Sequence, residues 1–262
     1  RRIAAPFLRA DQVEVPLTFP FTTEPTESAE EYERALTEFY DAGAAELARH
    51  LDAGRDVAVL CEGDPFFYGS YMYLHERLAP RYETEVVPGV TSFSAAAAAA
   101  GTPLAKRDDV FTVLPGTLPE DALATQLRGV DAAVVMKLGR GFDRVRGAAE
   151  RAGVADRGVY VERASAPEQR IAALGDVEGD VPYMSLVLVP TVGARGAQAG
   201  ARGRVSVVGL GPAGSEWLTP EARAELAEAE ELVGYATYLA RVPVRPGQRR
   251  HESDNRVEDA RA

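Results

Sequence analysis

At 262 residues the chain is long enough for one large domain or two ordinary ones, and 46% hydrophobic with 26% charged residues is the balance of a soluble globular enzyme. A net charge of −11 argues against a nucleic-acid partner, and no run approaches the ~20 apolar residues of a membrane span. With one cysteine, Cys61, and three histidines (His50, His75, His251), an intrachain disulfide is impossible and a His/Cys zinc cage is not expected.

The chain opens at Arg1 rather than Met, and it closes on a polar helical stretch, 255–262, with no element after it. Both ends are therefore expected to be cuts. No basic-then-apolar leader is present, so a cytoplasmic protein is expected. In chain order the patterns predict a helix over 29–53, a strand over 57–61, a helix over 69–79, a strand over 84–87 and a helix over 92–100. Then follow a strand over 110–114, a helix over 119–128, a strand over 132–136 and a helix over 142–152. Strands over 158–162, 170–174 and 184–189 close this part, the last two joined by a short turn at 175–180 that suggests antiparallel pairing. Residues 193–203 are Gly, Ala, Arg and Gln without apolar period and are expected to be a flexible linker. A strand over 205–208 and a helix over 220–229 come after it. Strands separated by helices imply an α/β fold with mostly parallel pairing.

Four loops could carry chemistry. Gly63-Asp64-Pro65 follows the strand that ends at Cys61, the strand end where open α/β sheets bind ligands. Gly63 allows close backbone approach, Asp64 offers an acceptor, and Cys61 itself is expected to be packing. In the second loop, Pro88-Gly89-Val90-Thr91-Ser92, Thr91 or Ser92 can cap a helix containing six successive alanines, giving a floor on which a nucleoside could lie. The third loop, Met136-Lys137-Leu138-Gly139-Arg140, ends a strand; Met136 suits the core or an adenine ring, and Lys137 and Arg140 suit an anion or solvent. The fourth, Gly209-Leu210-Gly211-Pro212-Ala213-Gly214, spells the dinucleotide fingerprint after a strand. In that fingerprint the helix starts inside the glycines, whereas here Thr219-Pro220-Glu221 signals a later start. Acidic Glu230 and Glu231 keep the dinucleotide reading open.

Together Gly63-Asp64-Pro65-Phe66-Phe67-Tyr68-Gly69, Pro88-Gly89-Val90-Thr91-Ser92 and the strand ending at Met136 resemble the tetrapyrrole methylases. Residues 4–190 look like the precorrin-2 C(20)-methyltransferases, through Val15-Pro16-Leu17-Thr18-Phe19-Pro20, Tyr73-Leu74-His75 and Thr112-Val113-Leu114-Pro115-Gly116-Thr117. Residues 202–262 resemble the start of the precorrin-3B C(17)-methyltransferases, through Val208-Gly209-Leu210-Gly211-Pro212, Gly234-Tyr235 and Ser253-Asp254-Asn255-Arg256. The resemblance implies a first module over 1–192 without the family's opening strand, a linker over 193–203 and the opening of a second module over 204–262. It implies two α/β domains with S-adenosyl-L-methionine in the cleft between them.

By the same resemblance the cofactor contacts are Glu62, Gly63, Asp64, Phe67, Thr91, Ser92, Met136 and Ala164, with Gly209, Gly211 and Pro212 in the second module. The substrate is a precorrin, C-methylated in cobalamin synthesis, and a homodimer is implied. No general base is assigned and no metal is expected. Because that substrate carries many carboxylates, charge alone suggests Lys106, Arg107, Lys137, Arg140 and Arg163 as anchors. The other readings are a dinucleotide-binding oxidoreductase fragment and a non-catalytic cofactor-binding fragment.

Overall fold

Ser28 accepts the Glu31 amide at 3.1 Å and starts α1 (Ala29–Asp52), where Glu30 and Glu31 complement the helix dipole. Tyr40, Ala44, Leu47 and Ala48 recur at helical spacing and bury one stripe of α1 against Leu74 and Leu78 of α2 (Tyr71–Leu78). The computed structural model describes residues 4–19, 28–193 and 204–253. The chain divides into two compact units, Arg1–Ala197 and Gln198–Ala262. Among the described residues no helix is long and apolar enough to cross a membrane.

The first unit continues with α3 (Ser92–Ala99), β1 (Phe111–Pro115), α4 (Glu120–Leu127), β2 (Ala132–Met136) and α5 (Phe142–Ala152). It closes with β3 (Val159–Glu162), β4 (Arg170–Ala173) and β5 (Ser185–Val189). Their sheet has the order β1-β2-β5-β3-β4. β1 and β2 are parallel, β5 runs antiparallel to both β2 and β3, and β4 runs antiparallel to β3. Hence β1, β2 and β3 point the same way.

The period of two in these strands sorts their side chains onto two covered faces. Ala133, Val135, Tyr160, Val187 and Val189 meet Leu123, Leu127, Phe142 and Val145 of α4 and α5. Val134, Val161, Leu186 and Leu188 meet Ala96 and Ala97 of α3. Burial on both faces explains why β2 and β5 are continuous apolar runs rather than alternating ones.

Several expectations are corrected here. Segments 57–61 and 84–87 form no ladder: no described strand pairs with either. Val57 and Val59 pack on the α1–α2 cluster, whereas Leu60 and Val87 are 68% and 67% exposed. A strand is defined by its neighbour, about 4.8 Å away, and apolar composition cannot supply one. The same holds for 205–208, where Val205 and Val207 are exposed. Near the end of the unit the pairing is antiparallel, but β4 and β5 are not neighbours, because β3 lies between them. Leu174 and Val177, both fully buried, draw the connection into the core instead of a hairpin.

In the second unit, α6 (Pro220–Glu228) is followed by β6 (Glu231–Tyr235), α7 (Ala236–Leu239) and β7 (Arg249–Ser253). β6 and β7 pair in parallel, and Leu232, Leu239 and Val242 form a small core with Leu210, Leu226 and Ala229. These last three elements escape the sequence patterns, since β7 is wholly polar, β6 is a short run that opens on a charge and contains a glycine, and α7 is a single turn. The expected linker beyond Gly193, Pro20, Arg202 and the 254–262 stretch lie outside the described residues.

Candidate functional site

Three parallel strands bring their carboxyl ends to one edge of the sheet. Gly116 follows β1, Lys137 follows β2 and Arg163 follows β3. The Gly116 amide donates to the Met136 carbonyl at 2.6 Å, and a Cβ on Gly116 would lie 2.9 Å from that oxygen. Arg144 donates to the Gly116 carbonyl at 2.9 Å and holds the turn from beneath. Lys137, Arg163 and Ser165 here, with Tyr68 in the 62–69 loop, have φ of 58°, 47°, 66° and 53°. Left-handed backbone at bulky residues costs free energy and concentrates where a loop geometry is dictated by function. The Lys137 ammonium sits 4.6 Å from the Tyr68 ring centroid and ties the 62–69 loop to the end of β2.

The 62–69 and 88–94 loops are interlocked. Asp64 accepts the Phe66 amide through Oδ1 at 2.9 Å and the Gly89 amide through Oδ2 at 3.0 Å. Gly63 has φ 74°, and a Cβ on Gly89 would stand 1.9 Å from the Gly63 carbonyl oxygen. Glu62 is exposed beside them. Thr91 is the residue at the cap of α3, but its hydroxyl makes no capping bond; it pairs with Ser94 Oγ at 2.8 Å instead. Ser92 is the first helical residue and is exposed. Burial, and then the charge of Asp64, push the Cys61 thiol up from its ordinary range, which disfavours the thiolate.

Phe67 stands edge-on to Phe93 at 5.2 Å, and Phe93, Met136 and Ala164 all pack on the cluster beneath α3. The structure thus gathers Gly63, Asp64, Phe67, Thr91, Met136 and Ala164 around interlocked turns and an apolar wall. The cationic candidates separate. Lys137 and Arg163 stand at the carboxyl edge and Arg140 in the turn beyond it, exposed. Lys106 and Arg107 precede β1 at the other edge, where Lys106 donates to the Val192 carbonyl at 3.1 Å. That opposite edge also carries an open groove of 630 Å³ lined by Thr102, Arg157 and Thr191. Its Arg157 is committed to the carbonyls of Val130, Asp131 and Pro190.

In the second unit Gly209, Gly211 and Pro212 form a loop ahead of the helix rather than its first turn. Thr219 caps α6 by accepting the Ala222 amide at 3.1 Å. Gly211 has φ 67°, and a Cβ there would meet Trp217 at 2.8 Å. The Arg241 guanidinium donates to the carbonyls of Leu210, Gly211 and Ala213 and so holds the loop. Glu231, a possible ribose acceptor in the dinucleotide reading, is engaged by Arg249 and His251, which hold its carboxyl down at about 2. Both observations weigh against a dinucleotide site. Gly89, Tyr68 and Gly116 lie within the quoted motifs but carry no role in the sequence reading, and Phe93 and Arg241 carry none either. Pro-Gly at 88–89 and 115–116 was a usable signal for two of them; the rest act through contacts distant in sequence.

A sheet covered on both faces, with glycine turns and an apolar wall at its carboxyl edge, defines an α/β protein of the kind in which that edge is the usual place for a ligand. The chain belongs to the tetrapyrrole (corrin/porphyrin) methylases, whose family model matches residues 1–177. It is 53% identical to the cobalamin biosynthesis protein CobIJ of Mycobacterium tuberculosis (strain H37Rv), over 100% of this chain and 51% of that one. The chain therefore spans about half the length of the curated relatives it matches over its whole extent. It is 47% identical to the precorrin-2 C(20)-methyltransferase of Sinorhizobium sp, over 72% of this chain and 78% of that one. A 60-residue stretch is 47% identical to the precorrin-3B C(17)-methyltransferase of the same source, covering 23% of this chain and 24% of the relative.

Proposed function

We propose that the first module, 1–192, transfers a methyl group from S-adenosyl-L-methionine to carbon 20 of precorrin-2 in cobalamin synthesis. Residues 204–262, beyond a linker over 193–203, are then the opening of a module for carbon 17 of precorrin-3B. The observation that carries this reading is the pair of interlocked turns, Gly63-Asp64 and Pro88-Gly89, beside the wall of Phe67, Phe93, Met136 and Ala164. A nucleoside fits such a place: its planar base takes an apolar wall, and tight glycine turns leave backbone close to the sugar.

The cofactor supplies an electrophilic methyl on a sulfonium. The nucleophile is an electron-rich ring carbon, so the protein needs no covalent intermediate, and its part is positioning and electrostatic fit. Lys137, Arg140 and Arg163, at or beyond the carboxyl edge, are assigned to substrate carboxylates. Lys106 and Arg107, at the opposite edge, lose that assignment. Family resemblance further supports a cytoplasmic homodimer.

Calorimetric titration with S-adenosylhomocysteine, with NADH in parallel, tests the reading. The first ligand should bind and the second should not. A chain with Arg140 and Arg163 both changed to Gln, and Lys137 left to hold Tyr68, should keep that binding while losing affinity for precorrin-2. Binding of NADH alone would overturn the proposal, and unchanged precorrin affinity in the double variant would remove those two anchors.

A further inference from the structure

Asp64 reads from sequence as an acceptor for a bound ligand, but its carboxylate is already committed to backbone. Oδ1 takes the Phe66 amide in its own turn, and Oδ2 takes the Gly89 amide of the neighbouring loop, at 2.9 and 3.0 Å. Both bonds are charge-assisted, the stronger kind. Their geometry leaves no slack, since a Cβ on Gly89 would stand 1.9 Å from the Gly63 carbonyl oxygen and 3.5 Å from Asp64 Cα. The two loops carry the aromatic wall: Phe67 follows one latched amide directly, and Phe93, the second residue of α3, lies four positions past the other, their rings 5.2 Å apart.

We infer that Asp64 is a positioning residue that latches the 88–94 loop onto the 62–69 loop and makes no contact with the cofactor. The latch keeps the cleft in its binding shape before any ligand arrives. Without it, only part of the population is competent, and apparent affinity falls by that fraction whatever the ligand's tail. The identity of the ligand rests on the methyltransferase reading; the latch does not.

The test uses S-adenosylhomocysteine and 5′-methylthioadenosine, which shares the nucleoside but lacks the amino-acid end. Asn at position 64 has a single acceptor oxygen and must release one of the two amides. Asp64→Asn should therefore raise Kd for both probes by the same factor, about tenfold. Hydrogen exchange in the ligand-free chain should speed up at the Gly89 or Phe66 amide, with Val134 in the sheet core as an unchanged control. Asp64→Glu, which keeps both acceptors, should recover part of the affinity. A loss confined to S-adenosylhomocysteine would point to direct contact and overturn the latch, as would unchanged exchange at both amides. If the unaltered chain binds neither probe, the function reading fails, while fast exchange of Gly89 and Phe66 in that same chain would overturn the latch independently.

Discussion

Tyr160 is fully buried, and its hydroxyl donates to Glu162 Oε2 at 2.9 Å. Burial first, and the Glu162 hydrogen bond second, push its ionisation up to about 12 from an ordinary 10.0. The raised value favours the neutral phenol in the fold. Below pH 10 both folded and unfolded chains hold the proton; between 10 and 12 the unfolded chain alone releases it, so stability falls across that window. Tyr160→Phe keeps the ring among its neighbours and should cost about 1 kcal/mol at pH 8 through the lost hydrogen bond. It should also flatten the decline, measured by urea unfolding at pH 8 and pH 11. A variant that still weakens as steeply as the parent would assign the alkaline loss to other groups. Asp64 teaches the complementary lesson: its type and place in a turn were visible in the sequence, but its two partners were not. One lies 25 positions away.

Among the elements, α3 joins the carboxyl edge, where cofactor binding is proposed, to the core. Its run of alanines has no side-chain bulk, and the buried members Ala96 and Ala97 let its backbone settle on Val134, Val161 and Leu188 of the sheet. Overpacking such a contact forces backbone to move. Ala96→Leu should destabilise the first unit by about 1–3 kcal/mol and weaken S-adenosylhomocysteine binding, because Phe93 rides on the same helix. Leu at Ala98, which is exposed, should do neither. Equal behaviour of the two variants in denaturation and titration would show that α3 does not need close packing. Helices such as α3 were legible almost to the residue, expected over 92–100 and found at Ser92–Ala99, since caps and periodicity are local. Strands were legible only where the pattern met a partner: 132–136 became β2, while the equally apolar 57–61 did not become a strand.

At the scale of the whole chain the two units differ in what holds them. The first has cores on both faces of its sheet, whereas the second relies on a small cluster around Leu232 and on surface pairs such as Glu231 with Arg249 and His251. The carboxyl of Glu231 is held at about 2 against an ordinary 4.5, through Arg249 first and His251 second. A depressed carboxylate stabilises the fold fully above 4.5, and that contribution is lost as pH falls from there through 2. Trp217, the sole tryptophan, lies in the second unit, so its fluorescence reports that unit alone. Emission should change between pH 4.5 and 2, and Glu231→Gln should remove that part of the acid profile. Superimposable profiles for the two proteins would deny the pair any role.

The sequence by itself determined the family, the α/β class, helices α1 to α6 and the turns at 63–65 and 88–92, because glycine turns, caps and apolar periodicity act over a few residues. Only the tertiary structure decided that β3 separates β4 from β5, that Lys106 and Arg107 stand at the opposite edge from Lys137 and Arg163, and that Asp64 faces Gly89. Strand order, the side of a sheet and the partner of a carboxylate are set by contacts between segments far apart in the chain, and no local pattern contains them.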